Sequence, residues 1–333
     1  MSTLSRRTFL RSAIGAAAAP LLVSGIPRAT AQPLVALSVG MSFHNLDAAA
    51  AWVAQDRHLF EKYGLKVTIV SIQGGGKTVA AMAGGDIPMA FIAAADIINA
   101  RAKGVPLEMI AGLINRLPYD FIVAKDITSP SQLKGTKCAI SGFGSSSDFA
   151  ARYALTKLGV DPKDVTFLQV GNETSRLAAL SSGQIQSTVL TAGLDLAAFE
   201  LGFKPMLKLY ETDQPYQHTG IAVNTTWAKS HTTTVVAFLK AIIAATVFLK
   251  NPANETAALS LLHNHLKIKE RDLKQGFELY REHFYQVYPF VTEPGMEFIL
   301  RARKIDQPVT TFYDNGYVQA LKDTNFAATV GGQ

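Results

Sequence analysis

The sequence predicts an α/β protein built as two similar lobes joined by a two-stranded hinge. Three observations predict it. Short apolar runs alternate with helical patterns, as in a parallel sheet covered by helices. One such succession returns about a hundred positions later. Two extended segments lie between the halves. With 333 residues and 48% hydrophobic content, the chain can supply a separate core to each of about two lobes.

The first residues are set apart. Ser5-Arg6-Arg7-Thr8-Phe9-Leu10-Arg11, the apolar stretch Ala13 to Val23 and the small-residue site Ala29-Thr30-Ala31 make a twin-arginine export signal, cleaved near Ala31. Setting aside Arg6, Arg7, Arg11 and Arg28 lowers the formal charge from +6 to +2, so the basic balance belongs mainly to the signal. No dense Lys/Arg run interleaved with aromatics is present, which argues against nucleic acid as a partner. The rest of the chain offers no uninterrupted apolar stretch of membrane-spanning length, so the expected product is a soluble protein outside the cytoplasm.

In the first expected lobe (32–117 together with 219–333), Val35 to Val39 reads as a strand, and Gly40 to Asp47 as a loop opening an Ala-rich helix. Lys66 to Ile72 is a second strand. Gly74-Gly75-Gly76-Lys77-Thr78 opens a second helix, Ile87 to Ala93 suits a buried strand, Ala95 to Lys103 a helix, and Leu107 to Leu113 another strand. Asp120 to Lys125 reads as the first crossing. The second lobe, 118–218, begins its repeat at the strand Cys138 to Ile140, the loop Ser141 to Asp148 and a helix with Ala150, Ala154 and Leu158 on one face. Val79 to Ile87 matches Leu177 to Ile185 at an offset of 98 positions. Gly220 to Asn224 reads as the return crossing. The remainder, from Thr233 onward, is mostly helical and is expected to pack back on the first lobe.

These residues resemble the periplasmic solute-binding proteins of ABC transporters, in the nitrate/sulfonate/taurine and thiamine-pyrimidine precursor (NMT1/THI5-like) group. The resemblance rests on Gly74-Gly75-Gly76, the helix–Gly-Asp-Ile–strand run Val79 to Ile87, Ser131-Gln132-Leu133-Lys134-Gly135, the loop Gly142 to Ser147 and Leu177 to Ile185. It implies a type II periplasmic-binding fold; a monomer is expected. It also implies capture of a small-molecule ligand by lobe closure and delivery to an ABC permease in the inner membrane.

Ligands of open α/β sheets sit beyond the carboxyl ends of the strands, so candidate contacts come from the loops there. In the first lobe these are Ser42, Phe43, His44, Asn45, Gly76 and Ala94; in the second, Gly144, Ser145, Ser146, Ser147, Asn172, Thr191 and Ala192. Serine hydroxyls and free helix N–H groups hold acceptor oxygens, while Phe43 and His44 could stack on a planar ligand. Arg116, Tyr216 and His218 flank the crossings. Asp96, Glu173 and Asp195 read as caps or solvated residues rather than catalytic acids. A helix-capping role for the serines and a surface role for His44 are the plain alternatives.

No metal or cofactor is expected: His263 and His265 are two apart on a helix and point away from each other, and Gly74 to Thr78 lacks the leading glycine of a phosphate loop. The ligand class is a small organic anion or a planar heterocycle. The competing reading is an enzyme on the same fold, similar to the pyrimidine synthase of thiamine biosynthesis or to a desulfinase. The first resemblance would want a cysteine-rich motif. The second would want a nucleophilic cysteine, whereas Cys138, the single cysteine, lies in an apolar strand.

Overall fold

The computed structural model describes residues 33–72, 74–191 and 194–331, so the twin-arginine segment and Ala192 lie outside the described residues. Within them the chain opens with strand β1 (Val35–Met41), helices α1 (Ala49–Asp56) and α2 (Leu59–Lys62), β2 (Leu65–Ser71), α3 (Gly75–Gly84), β3 (Met89–Ala93), α4 (Ala94–Ala102) and β4 (Leu107–Ile114). The pattern then returns with β5 (Tyr119–Val123), β6 (Lys137–Ile140), α5 (Ser146–Lys157), β7 (Thr166–Gln169), α6 (Glu173–Ser181), β8 (Ser187–Thr191), α7 (Leu194–Glu200), β9 (Lys204–Lys208) and β10 (Thr219–Asn224). The tail holds α8 (Thr225–Ala228), α9 (Thr232–Lys250), α10 (Glu255–Leu266), α11 (Glu270–His283), α12 (Glu293–Ala302), α13 (Gly316–Asp323) and α14 (Phe326–Val330).

The strands form two five-stranded sheets, β2-β1-β3-β10-β4 and β7-β6-β8-β5-β9. In the first, β1 runs parallel to β2 and β3, with Val39 opposite Ile69 and Met89, while β10 is antiparallel to β3 and β4. The second sheet repeats this plan, with β6 parallel to β7 and β8, and β5 antiparallel to β8 and β9. The strand after each crossing therefore inserts antiparallel beside the third strand of the sheet it enters. Asp120 to Lys125 and Gly220 to Asn224, expected as the crossings, belong largely to these inserted strands; the chain crosses at 115–118 and 212–218. Their apolar, extended sequence is explained by full burial inside a sheet.

The 98-residue repeat recurs in the fold: α3 starts at Gly75 and α6 at Glu173, β3 at Met89 and β8 at Ser187. Each helix stops at a glycine in the left-handed region, Gly85 (φ 87°) and Gly183 (φ 73°), where a side chain would be strained. The chain then turns straight into a strand whose residues are nearly all buried.

One core lies between the first sheet and α1, α9, α10 and α11, with Phe60 stacked on Phe238 at 5.2 Å and Phe277 and Tyr280 fully buried. By length and composition α9 could cross a membrane, contrary to the expectation from sequence, but most of it is buried here as the central core helix. A second core runs from Ile92 and Ile98 of the first lobe through Leu117 and Tyr216 at the crossings to Phe121 and Cys138 of the second. Helix α12 belongs to this core. A Cβ on Gly295 would lie 2.5 Å from the Gln217 nitrogen, so the missing side chain lets α12 rest directly on the return crossing.

Candidate functional site

The return crossing is held by its own backbone. The His218 N–H donates to the Ile114 carbonyl at 2.9 Å, and the His218 carbonyl accepts from the Ala94 N–H at 3.0 Å. Gln217 donates to the Ile114 and Thr219 carbonyls and accepts from the Thr292 N–H at 2.8 Å. In extended chain, residues two apart share a side. With Gln217 turned toward α12, Tyr216 and His218 project together between the lobes.

Two polar ends flank these rings. At the first end the His218 Nε2 lies 3.2 Å from the Asp47 carboxylate, which also accepts from the Tyr280 hydroxyl at 2.7 Å. Asp47 stands in a short 3-10 turn capped by the Asn45 side chain. Tyr119 meets the His218 ring edge-on at 5.1 Å. Facing them from the second lobe, Glu173 opens α6, accepts from the Thr191 hydroxyl at 2.8 Å and lies 3.6 Å from Arg176. Arg176 is itself braced by the Gly171 and Val189 carbonyls. Burial pushes the Glu173 carboxyl upward, Arg176 and Thr191 pull it back, and Asp47 and His218 act on it across the gap in opposite senses.

The other end gathers Ser146, Tyr216, Asp96 and Arg303. Tyr216 is fully buried and stacked on Phe149 at 4.8 Å. Burial raises its hydroxyl to about 12, with Ser146 and Arg303 opposing and Asp96 adding. Burial likewise raises Asp96 to about 6, against the charges of Arg303 and His218. Among the described residues, the Ser146 Oγ, Tyr216 hydroxyl, His218 Nδ1, Thr219 Oγ1 and Arg303 Nε are buried without a hydrogen-bond partner. Each such group costs about 1–3 kcal/mol, and native proteins concentrate such costs where a ligand is to be met.

The structure brings together some predicted residues and not others. Ser146, Thr191, Tyr216 and His218 converge on the cleft. Ser145 and Ser147 are spent locally: Ser145 caps α5 through the Asp148 N–H, and Ser147 accepts from the Ser141 N–H at 2.8 Å. Asn172 caps α6, and Asn45 caps the turn at Asp47. His44 is exposed, bonds the His265 carbonyl at 3.0 Å and lies edge-on to Trp52. Phe43 packs against the first core, and the Ser42 N–H donates to the Phe91 carbonyl. Ala94 gives its N–H to His218, Gly76 is exposed in the first turn of α3, and Arg116 is exposed at the first crossing. The Gly144 carbonyl accepts from Arg303.

Asp47, Asp96, Glu173, Tyr119, Arg176 and Arg303 were missed. Asp96 and Glu173 sit at helix starts and so read as caps or solvated residues; both are half-buried, the Asp96 carboxylate lying against Gly75 at the head of α3, and Asp195 is only 5% exposed. The available signal was the repeat itself, which places Glu173 at the position of Gly75 at the head of a cleft-facing helix. Cys138 is fully buried, and burial pushes its thiol up to about 12, which disfavours the thiolate.

Two facing α/β lobes, each with a parallel sheet entered by one antiparallel strand and with polar groups converging between them, define a two-lobe periplasmic-binding fold. The chain belongs to the NMT1/THI5-like family, whose model matches residues 45–255. It is 24% identical over 327 residues to the nitrate/nitrite binding protein NrtA of Synechococcus elongatus, covering 82% of this chain and 73% of that one. A solved structure from Bordetella bronchiseptica superposes with a TM-score of 0.75 at 18% identity, covering 87% of this chain and 98% of the other. The alkanesulfonate-binding protein SsuA of Xanthomonas axonopodis pv. citri, bound to MOPS, does so with 0.68 at 16%, covering 83% and 96%.

Proposed function

We propose that this chain is the periplasmic solute-binding component of an ABC importer. It captures a small organic anion or planar heterocycle between its lobes and delivers it to a permease in the inner membrane. The observation that carries this reading is the set of buried polar atoms without protein partners on facing lobes, walled by the rings of Tyr119, Tyr216 and His218. A pocket of that composition orients a flat ligand by a few hydrogen bonds and closes around it. The family supports the binding role, and the nitrate/nitrite- and sulfonate-binding relatives favour an anion. The cleft itself carries three carboxylates, Asp47, Asp96 and Glu173, beside Arg176, Arg303 and His218. That balance tilts the reading toward a planar heterocycle that donates N–H groups.

On this reading the lobes divide near 117–118 and 218–219. The arginine pair at Arg6-Arg7 sends the protein through the twin-arginine route, with cleavage near Ala31. The cleft acids bind rather than react, since among the described residues their neighbours are hydrogen-bond donors and rings with no paired nucleophile and base.

A thermal-shift screen with taurine, benzoate, nitrate, cytosine and 4-aminopyrimidine tests the proposal, because a ligand selective for the folded state raises Tm. A shift by cytosine or 4-aminopyrimidine with one-to-one stoichiometry and no turnover is expected. Turnover of a bound compound, or binding undiminished in a Tyr216→Phe, Glu173→Gln double variant, overturns it.

A further inference from the structure

The tail does more than cover the first lobe. Arg303, just past the end of α12, spans the gap between the lobes. Its Nη1 donates to the Asn99 Oδ1 on α4 at 2.7 Å, and its Nη2 donates to the Gly144 carbonyl in the loop before α5. The Gly144 N–H is in turn held by the Asp148 carboxylate at 2.9 Å, and Asp148 by the Arg152 Nε at 2.7 Å. One chain of charge-assisted bonds thus runs from the second lobe's α5 through Arg303 to the first lobe's α4. The third group of the guanidinium, Nε, is buried without a partner beside Tyr216 and Asp96.

The helix that carries Arg303 is anchored at both ends of this path. Its start rests on the return crossing through Gly295 and the Thr292–Gln217 bond. In its middle Phe298 meets Phe149 edge-on at 5.3 Å and Tyr153 at 6.0 Å, both on α5 of the second lobe. On the cleft's other side Lys269 and Arg271 of the tail pair with Glu200 of α7, but these cations are exposed and their pairing is worth little. Arg303 is better shielded, and a guanidinium suits two separate acceptors in a way that an ammonium does not.

We infer that Arg303 is a positioning residue for ligand capture: it fastens the second lobe to the first from a tail that belongs to neither sheet, and leaves its Nε–H facing the ligand. The assignment of the cleft as a ligand site is the reading this rests on, while the fastening itself needs no ligand. The closed arrangement is therefore expected to depend on a residue about 160 positions downstream of the loop it holds.

The test is a distance measurement on the mature, ligand-free protein between spin labels at Lys66→Cys and Lys163→Cys, both exposed and away from the cleft. Cys138, fully buried, stays unlabelled. Arg303→Ala is expected to shift the distribution to longer separations, reducing the closed fraction about tenfold for the loss of one such bond. Asn99→Ala removes only the first-lobe partner and should do the same, and Arg303→Lys should fall between. An unchanged distribution in folded Arg303→Ala overturns the inference; if that variant does not fold, an unchanged distribution in Asn99→Ala does so. A ligand panel with no binder would count against the proposed function alone and would leave this result standing.

Discussion

The imidazole of His218 lies 3.2 Å from the carboxylate of Asp47, joining the last residue before β10 to the turn after β1. Both side chains are almost wholly buried, and Asp47 also holds the Tyr280 hydroxyl from α11. One carboxylate therefore ties together the first sheet, the return crossing and the tail. Asp47→Ala should leave a buried imidazole and a buried phenol unpartnered, at a cost of about 3–5 kcal/mol. Asp47→Asn keeps an acceptor and should cost about 1–2 kcal/mol. Urea midpoints of the two variants check this, and equal midpoints would show that the pair holds nothing together.

A second buried acid lies behind the site. Asp120 of β5 is 1% exposed; burial first, and the charge of Asp195 on α7 next, push its carboxyl far above the usual range, with Lys208 opposing. A carboxyl whose folded-state pKa is raised binds its proton more tightly when folded. Its contribution is full below the unfolded carboxylate range and is lost as pH rises through the folded value. Asp96, raised to about 6, acts in the same sense over the lower part of that window. The ligand-free protein should thus be more stable at pH 5 than at pH 8. Asp120→Asn should raise Tm at pH 8 and change it little at pH 5, measured by calorimetry in matched ionic strength.

The architecture was legible because it is written in local signals. Glycines such as Gly85 and Gly183 punctuate each helix-to-strand step, and the repeat at 98 positions survives as a pattern of small and apolar residues. Which sheet β5 and β10 join was not legible, since an apolar extended run states its burial and not its partner. The site was harder still. Asn45, Ser145 and Asn172 look like ligand donors and serve as caps, and Ser147 holds the Ser141 N–H, because such side chains meet nearby backbone N–H groups first. Asp96 and Glu173 look like caps and are half-buried, while Asp47 is buried against His218 and the Tyr280 hydroxyl of the tail, neither of them near it in sequence. Arg303 could not be found from its neighbours in sequence, as each of its partners lies more than 150 residues away.

Cys138 gives a test that separates binding from covalent chemistry. It sits in β6 between β7 and β8, its thiol pushed up to about 12 by burial. The native protein should not react with Ellman's reagent at pH 8 on the time scale of seconds to minutes, and should release one equivalent on unfolding. Cys138→Ala should bind any ligand as the wild type does, at a stability cost of about 1 kcal/mol for the lost sulfur contacts. Rapid native labelling, or loss of binding in Cys138→Ala, would revive the desulfinase-like reading.

The buried hydroxyls of Tyr216 and Ser146 set stability against binding. Both lack a partner in strict hydrogen-bond geometry among the described residues, although the Ser146 hydroxyl lies close enough to the Tyr216 oxygen to oppose the rise that burial imposes on it. Removing a polar atom that is already unsatisfied relieves its desolvation penalty, whereas removing a satisfied one creates a penalty. Tyr216→Phe keeps the ring stacked on Phe149 and deletes only the oxygen. The variant should match or exceed the wild type in unfolding free energy, by up to about 1–2 kcal/mol, while any compound identified by thermal shift binds it at least about tenfold more weakly. Ser146→Ala should follow the same pattern more weakly, since the smaller side chain leaves a little space. The opposite outcome, a variant less stable than the wild type with affinity intact, would mean that the hydroxyl bonds within the protein. Calorimetry and titration on the same preparation decide between the two, and the sign of the stability change alone is enough to choose.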